Sequence, residues 1–240
     1  MPEEQEQPEV RCVMVIVAHP DDAEFSSAGT VAKWAREGKE IVYVLCTSGD
    51  KGTSDPTISP AQMAEIRRSE QQNACRVLGV KEVVFLGYED GVLESTLQLR
   101  RDVVRQIRRF KPDVVICPDP VTRWHGQQFL NHPDHRAAGD AALDAVYPSA
   151  RDPHVFPELL AEGLQPHKVR EVYIISRENA DVFVDITDTI DTKIAALYEH
   201  ASQIGDRQDQ VEKWVREGAK RLAEGQDMEY AESYKYIKLG

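Results

Sequence analysis

Residues 12–46 read CVMVIVAHPDDAEFSSAGTVAKWAREGKEIVYVLC, and they place one amphipathic segment between two apolar ones. The first apolar segment, residues 12–18, is rich in β-branched side chains, which is typical of strands buried on both faces of a parallel sheet. Residues 26–36 predict a helix with Gly38 just beyond its end, and residues 41–46 repeat the buried-strand pattern. The segment therefore predicts a β-α-β unit whose first turn carries charged side chains.

The same alternation continues through the middle of the chain. Residues 48–60 are rich in Gly, Ser, Thr, Asp and Pro, which predicts a loop. Further helices are predicted at 61–78, 97–110 and 135–145, and further strands at 83–86 and 114–117, with a loop at 119–131. Such alternation predicts an α/β fold, with a Rossmann-like, doubly wound, mostly parallel sheet and helices on both faces. In such folds ligands bind in the loops that follow the carboxyl ends of the strands.

The two ends of the chain are less regular. Residues 1–10 are acidic and polar and predict a disordered tail, so that a single domain would span residues 11–240. Residues 148–168 contain several prolines and glycines without a sustained period and predict a long surface segment. Strands are predicted at 172–176 and 182–185, and amphipathic helices at 189–203 and 209–224 are predicted to be the last elements.

Composition limits the partners of this protein. The chain has 41 acidic and 29 basic residues among 240, a formal charge of −12, and such a charge repels nucleic acid and anionic lipid headgroups. No segment reaches the ~20 apolar residues of a membrane span, and the acidic start lacks the features of a secretory signal. We therefore expect a cytoplasmic protein with a small-molecule substrate, and we expect it to form a homo-oligomer. Four widely spaced cysteines are interpreted as small core residues: Cys12, Cys46, Cys75 and Cys117.

Two histidine-proline-aspartate motifs follow strands of the predicted sheet. His19-Pro20-Asp21-Asp22 comes where the first strand ends, and His132-Pro133-Asp134-His135 lies between a loop and a helix. Taken alone, an aspartate of the first motif could simply cap the helix that follows. The recurrence of the motif in a chain with seven histidines favours a shared chemical site instead.

The motifs contain enough ligands for a catalytic metal. A catalytic zinc site needs three protein ligands from His, Asp or Glu and one open position. His19 and Asp22 are three residues apart in a tight turn and could bind one ion, and His135 would complete the set. Three further side chains would lie beside the ion, namely Asp21, His132 and Asp134. A carboxylate next to a metal-activated water acts as a general base, and an imidazole held by a second carboxylate acts as an acid or oxyanion donor.

The chain resembles the LmbE-like or PIG-L family of zinc-dependent N-acetylglucosaminyl deacetylases, which includes bacterial enzymes of mycothiol and bacillithiol synthesis. The resemblance covers about residues 13–139. The matching positions are His19-Pro20-Asp21-Asp22, Gly29-Thr30, Thr47-Ser48-Gly49-Asp50, Arg67-Arg68-Ser69-Glu70, Leu78-Gly79, Asp90-Gly91, Pro112-Asp113-Val114-Val115 and His132-Pro133-Asp134-His135. The resemblance implies that zinc binds the three ligands named above, that the first aspartate of the first motif is the base, and that the first histidine of the second motif, oriented by its aspartate, assists the transition state.

Two further positions match substrate-binding residues of the family. The resemblance implies that Arg67 holds an anionic or hydroxyl substituent and that Asp90 holds sugar hydroxyls. Arg67 and Glu70, three apart on a helix, could instead form a solvated ion pair, and Asp90-Gly91 could be only a turn. Glu24 is interpreted as a charge at the start of a helix.

Four histidines lie outside the motifs, and we interpret them as surface or core-edge residues: His125, His154, His167 and His200. Trp124 precedes the first of these, in the loop that leads to the second motif. An aromatic ring in that loop could stack on a sugar.

The sequence therefore predicts a metal-dependent hydrolase that removes an N-acyl group, acetyl foremost, from an N-acetylglucosamine-type conjugate. The predicted cofactor is Zn²⁺, with Fe²⁺ or another divalent ion as the alternative, because nitrogen and oxygen ligands suit both. Two other functions stay open: a metal-dependent phosphoesterase and a non-catalytic small-molecule-binding protein. The first is disfavoured by a ligand set for one metal and the lack of a glycine-rich phosphate loop, the second by the presence of Asp21 and His132.

Overall fold

The computed structural model describes residues 9–127 and 129–240. Its strands are β1 (Cys12–Val17), β2 (Glu40–Thr47), β3 (Glu82–Tyr88), β4 (Val114–Pro118), β5 (Trp124–His125), β6 (Phe129–Leu130), β7 (Glu171–Ile175), β8 (Val182–Asp185) and β9 (Ala231–Lys238). One sheet has the order β3-β2-β1-β4-β7-β9-β8, and β5 pairs with β6 in a separate hairpin. The tail predicted at residues 1–10 lies almost wholly outside the described residues.

Strand β1 lies inside the sheet and is buried along its whole length. Val13 pairs in parallel with Ile41 of β2 on one side and with Val114 of β4 on the other. Alternate side chains of β1 enter different cores, because successive residues of a strand point to opposite faces. Met14 belongs to one buried cluster and Val15 to the other. The five parallel strands between covering helices confirm the predicted fold class.

The α-helices are α1 (Asp22–Ser26), α2 (Ala28–Arg36), α3 (Pro60–Leu78), α4 (Leu97–Phe110), α5 (Pro133–Asp144), α6 (Glu158–Ala161), α7 (Ile190–Tyr198), α8 (Ala201–Ile204) and α9 (Gln208–Leu222), and a π-helical turn (Ala145–Ser149) follows α5. The helix predicted at 26–36 therefore starts earlier, at Asp22, and is interrupted at Ser27, whose φ is −136°. The hydroxyls of Ser26 and Ser27 donate to the carbonyl oxygens of Asp22 and Ala23, and such bonds compete with regular helical geometry.

Local sequence signals explain the bounds of helix α3. Ser59 accepts a hydrogen bond from the backbone of Gln62, whose side chain accepts one in return, so the two residues form a capping box. Gly79 ends the helix with φ 78°, a left-handed conformation that favours glycine. Because of these signals, the predicted range of 61–78 differs from the observed helix by only one residue.

The prediction that two helices end the structure is wrong, because strand β9 follows them. Strand β9 lies between β7 and β8 and is antiparallel to both. Its first half buries polar residues, Glu232 and Ser233, next to Tyr234. The segment therefore lacks the apolar-polar alternation by which a strand is recognised.

The segment predicted to lie on the surface, residues 148–168, is held in place by hydrogen bonds from Arg108 of α4. The guanidinium of this arginine is buried and donates to the carbonyl oxygens of Ser149, Ala150, Asp152 and Val155. The segment is thus partly buried, with Leu159 fully enclosed. Among the described residues, no helix has the length and apolar character that crossing a bilayer requires.

Candidate active site

The two motifs meet where β1 and β4 end. In the first, the backbone N–H of His19 donates to the Asp22 carboxylate at 2.8 Å, which closes a tight turn. Asp21 has φ 86°, a left-handed conformation that aspartate tolerates better than most residues, and α1 begins directly after it. In the second, His132 is the N-cap of α5 and Pro133 fills its first position. The imidazole centroids of His19 and His132 are 4.8 Å apart.

His19 is oriented by two carboxylates on one side of its ring. Its Nε2 lies 3.2 Å from Asp134 Oδ2 and 3.1 Å from Asp90 Oδ1. Because a carboxylate only accepts, Nε2 carries the hydrogen, and Nδ1 remains for another partner. That Nδ1 lies 3.4 Å from the carboxylate of Asp22.

His135 is oriented in the same way by Asn131. The side-chain nitrogen of Asn131 donates to the carbonyl oxygen of Thr122, so its oxygen is the atom that lies 3.2 Å from His135 Nδ1. The hydrogen of the ring is therefore on Nδ1, and Nε2 lies 3.0 Å from Asp22 Oδ1. The structure thus brings the free nitrogens of His19 and His135 to one carboxylate.

This arrangement fits a divalent cation. Metal-binding histidines donate their second ring N–H to a carboxylate or carbonyl, which fixes the tautomer, and both histidines do so here. Although burial alone would raise it, the imidazoles of His135 and His19 hold the pKa of Asp22 well below its ordinary value. Burial lowers the pKa of His19, but Asp22 and the surrounding carboxylates outweigh it and raise that pKa to about 12. The site therefore attracts positive charge, which an ion can supply in place of ring protons.

Two groups of side chains place one ligand atom from each member close enough together to share an ion. One is His19, His132 and His135, and the other is His19, Asp90 and Asp134. In the second group the carboxylates already have donors. Asp134 accepts from the backbone N–H groups of Gly91 and Leu93, and Asp90 accepts from that of Lys51. These aspartates are therefore better suited to orient His19 than to bind the ion themselves.

The carboxylate of Asp134 orients His19 rather than His132. It lies 3.8 Å from His132 Nδ1, beyond hydrogen-bond distance, whereas that Nδ1 accepts from the backbone N–H of Asp134 at 3.2 Å. The sequence suggested His132 because it is two positions from Asp134, and it could not show that His19, 115 positions away, is the histidine that the carboxylate contacts. Burial and the charge of His19 lower the pKa of His132, which favours its neutral form.

Asp21 lies beside this cluster with a different set of partners. Burial raises the pKa of Asp21 to about 7, against the opposing effect of the Arg67 guanidinium 3.0 Å away. Arg67 is itself buried and also donates to the carbonyl oxygens of Pro20 and Gly49. It does not form the solvated pair with Glu70, whose carboxylate accepts from Ser202.

Comparison with known proteins gives the family of this chain. The family described as "PIG-L: GlcNAc-PI de-N-acetylase" matches residues 14–146, which is more than half of the chain. The chain belongs to the PIG-L family. This confirms the resemblance found in the sequence.

Individual proteins are similar over most of the chain. A diacetylchitobiose deacetylase of Thermococcus kodakarensis is 35% identical, over 81% of this chain and 71% of its own length. A probable N-acetyl-α-D-glucosaminyl L-malate deacetylase 2 of Bacillus anthracis is 26% identical, over 89% of this chain and 91% of its own. The solved structure of N,N'-diacetylchitobiose deacetylase from Pyrococcus horikoshii has a TM-score of 0.88 at 31% identity, over 96% of this chain and 85% of that chain.

A series of buried polar side chains in this PIG-L protein supports the backbone of Asp21. The Gln71 side chain accepts from the Asp21 N–H at 3.0 Å and donates to Glu24 at 3.0 Å, and Glu24 lies 3.3 Å from His200 Nε2. Glu24 and His200 are fully buried. Glu24 lies in the first turn of α1, as predicted, although its carboxylate is enclosed. The interpretation of His200 as a surface or core-edge residue is wrong. Only Gln71 had a sequence signal, since it lies four residues after Arg67 on the same helix.

A cavity of about 1020 Å³ opens beside Asp22 and His135. Other parts of its wall come from α1, the β5–β6 hairpin, the end of β7, helix α9 and strand β9, through Phe25, Phe129, Arg177, Trp214 and Glu232 among others. The cavity therefore combines residues of the PIG-L motifs with residues of the last third of the chain.

Proposed function

We propose that this protein is a metal-dependent deacetylase that removes the acetyl group from an N-acetylglucosamine-type sugar conjugate. The observation that supports this most directly is the convergence of His19 Nδ1 and His135 Nε2 on Asp22, next to Asp21. The deacetylase names of the relatives agree with it.

Three side chains would hold the ion: His19, Asp22 and His135. A bound divalent ion polarises an amide carbonyl and makes a nearby water more acidic. Zn²⁺ is the proposed ion, with Fe²⁺ as the alternative, because one carboxylate oxygen and two imidazole nitrogens suit both.

Asp21 acts as the base in the proposed reaction. Its carboxylate takes a proton from the attacking water as the water oxygen bonds to the acetyl carbon. A base works best when its pKa is near the working pH, and the pKa of about 7 at Asp21 meets that condition. Arg67 and Gln71 fix the carboxylate and backbone of Asp21 and so hold the base in place.

His132 stabilises the tetrahedral intermediate. Its Nδ1 accepts from a backbone N–H, so the neutral ring carries its hydrogen on Nε2 and can donate to the developing oxyanion. As the C–N bond breaks, the proton held by Asp21 passes to the leaving nitrogen. The products are acetate and a free amine, and Asp21 returns to its ionised form.

Asp134 and Asp90 support the site by orienting His19. The sequence assigned Arg67 and Asp90 to the substrate, but in the structure both are buried and paired, Arg67 with Asp21 and Asp90 with His19. We propose that they act mainly through these partners, and contact with substrate hydroxyls stays a prediction. The expected cytoplasmic location and homo-oligomer are likewise part of the proposal.

The test is an assay of acetate and free amine release by protein loaded with Zn²⁺ or Fe²⁺. The substrates are N-acetylglucosamine, its β-1,4-linked dimer and its simple glycosides, and a phosphate monoester serves as the control. We expect metal-dependent release of acetate and none of phosphate. Cleavage of the phosphate ester without acetate release would favour the phosphoesterase, and the absence of both reactions would favour a binding protein.

A further inference from the structure

The cavity beside Asp22 and His135 is larger than one sugar requires. Pockets of roughly 300–1,000 Å³ hold drug-sized ligands, and this cavity has about 1020 Å³. An acetamido sugar next to the two motifs would therefore leave room for a further part of the substrate. The wall that this part would meet includes Arg177, Trp214 and Arg221.

Trp214 is an aromatic surface held in position at this wall. Its ring packs edge to face against Phe25, with the centroids 6.0 Å apart, and 46% of the residue is exposed. The guanidinium carbon of Arg177 lies 5.7 Å from the centroid of the Trp214 ring. Tryptophan fixed in this way provides a flat apolar contact for a ligand and a support for a cation.

Arg177 and Arg221 place positive charge on the same wall. Within residues 9–127 and 129–240, neither guanidinium has a carboxylate at salt-bridge distance, although acidic residues outnumber basic ones in the chain. Both arginines are exposed and line the same cavity. Desolvation and the charge of Arg221 lower the pKa of Arg177, as expected from the repulsion of two cations on one wall. An anion between them would relieve this repulsion.

The other charged groups of the cavity wall have partners. Lys193 pairs with Glu232 at 2.6 Å, and Asp119 accepts from the backbone of Val121 and the hydroxyl of Thr122. Asp22 lies between two imidazoles. The two arginines are thus the charges of this wall that a ligand would complement.

We propose that Arg177 and Arg221 bind a carboxylate or phosphate group on the part of the substrate beyond the N-acetylated sugar, while Trp214 packs against that part. This inference rests on the proposed deacetylase function. Guanidinium groups suit both anions because their N–H donors match paired oxygens. All three residues lie outside the segment 14–146 that matches the PIG-L family, so they would set the specificity of this chain.

The experiment compares kcat/KM for three matched glycosides of N-acetylglucosamine, with a neutral, a carboxylate-bearing and a phosphate-bearing aglycone. We expect the wild-type protein to prefer one or both anionic substrates by about tenfold or more, the gain typical of a charge-assisted contact. In the double variant Arg177→Gln, Arg221→Gln the ratio of anionic to neutral kcat/KM should fall to about one. The two anionic arms show whether carboxylate or phosphate is the better ligand.

Lys220→Gln is the matched control, because Lys220 is an exposed cation of the same helix that does not line the cavity. It removes one positive charge and should retain the preference, so a general effect of protein charge would appear in both variants. Equal kcat/KM for neutral and anionic substrates in the wild type would overturn the proposal. So would a preference that persists in the arginine double variant.

Binding measured by calorimetry separates this inference from the proposed function. If no glycoside is deacetylated, the deacetylase function fails, and the affinities for the two anionic glycosides still test the arginines. Tighter binding of at least one anionic glycoside than of the neutral one, lost in the double variant, supports the anion site. Equal binding of all three glycosides contradicts it.

Discussion

Asp21 and Asp22 are adjacent in the chain, yet their surroundings favour opposite protonation behaviour. Burial raises the pKa of Asp21 to about 7, whereas the imidazoles of His135 and His19 hold the pKa of Asp22 well below its usual range. A group that must exchange a proton benefits from the first environment, and a metal ligand, which must stay ionised, benefits from the second. The neighbouring side chains, rather than the position in the sequence, thus distinguish Asp21 as the base from Asp22 as the metal ligand.

Replacement of Asp21 by asparagine should separate catalysis from metal binding. Asp21→Asn keeps the shape of the side chain but removes its basicity, so we expect turnover to fall by roughly 10²–10⁴-fold. The metal content, measured by elemental analysis, should be that of the wild type. Asp22→Asn is the control at the neighbouring position and should lose metal as well as activity. Near-wild-type turnover of Asp21→Asn would refute its role as the base.

Removal of His135 should empty the metal site. A three-ligand catalytic site is expected to bind about one divalent ion per chain in the wild type. His135→Ala deletes one of the three ligands, so we expect this variant to bind less. His154→Ala is the matched control, because His154 is exposed and distant in sequence from both motifs. Full occupancy of the His135 variant would show that a group without this residue, such as His19, Asp90 and Asp134, holds the ion.

The proposed metal ligands and the proposed base could be predicted from the sequence because they lie in short motifs. A turn of four residues brings His19 next to Asp22 by local geometry, and the recurrence of the motif indicated its partner. Glu24 and His200 could not be paired from the sequence, since they are 176 positions apart and neither has a motif to indicate it. The same holds for the choice of His19 as the partner of Asp134.

At the scale of elements, helix α2 depends on a side chain from the opposite end of the chain. Its N-cap, Ser27, makes no side-chain capping bond. Instead the buried carboxylate of Glu232 accepts from the backbone N–H groups of Gly29 and Thr30 and from Lys193. This satisfies free N–H groups of the helix and adds a negative charge at the positive end of its dipole.

Glu232→Gln should therefore destabilise the protein strongly. The substitution leaves Lys193 buried without its carboxylate and replaces one acceptor by an amide donor, so we expect a loss of about 3 kcal/mol in the free energy of unfolding. Glu229→Gln, an exposed position three residues earlier on the same segment, should change it by less than about 0.5 kcal/mol. Denaturant titration measures both, and equal stability of the two variants would contradict the role of Glu232.

Elements with local signals were predicted closely, whereas β9 was missed. Helix α4 has the predicted bounds, since Thr96 caps it and Lys111 ends it in a left-handed conformation. Strand β9 buries Glu232 because the partners of that residue come from α2 and α7, which no pattern within residues 231–238 reveals. A buried charge in a strand is only understood once its distant donors are known.

At the scale of the whole molecule, the site exists only if α5 approaches the end of β4 closely. Helix α5 begins at Pro133 and carries His135, and its Gly139 packs against the last residue of β4. A Cβ atom at Gly139 would lie 2.5 Å from the carbonyl oxygen of Pro118. Only glycine allows the helix to lie at this distance, which brings the second motif to the first.

Gly139→Ala should consequently affect both stability and metal binding. The contact is with backbone, which cannot rotate away, so the helix must move, and overpacking of this kind costs about 1–3 kcal/mol in the free energy of unfolding. The displacement would move His135 away from His19 and Asp22, so metal affinity should fall although no ligand has changed.

Gly218→Ala in α9 is the control, because a Cβ atom there meets no neighbour within 4 Å. In a helix interior the change from glycine to alanine should stabilise the protein by up to about 1 kcal/mol. The two glycines thus have opposite expected signs, which denaturant titration and metal titration of both variants can measure. If Gly139→Ala matches Gly218→Ala in stability and retains full metal affinity, close packing of α5 on β4 does not set the geometry of the site.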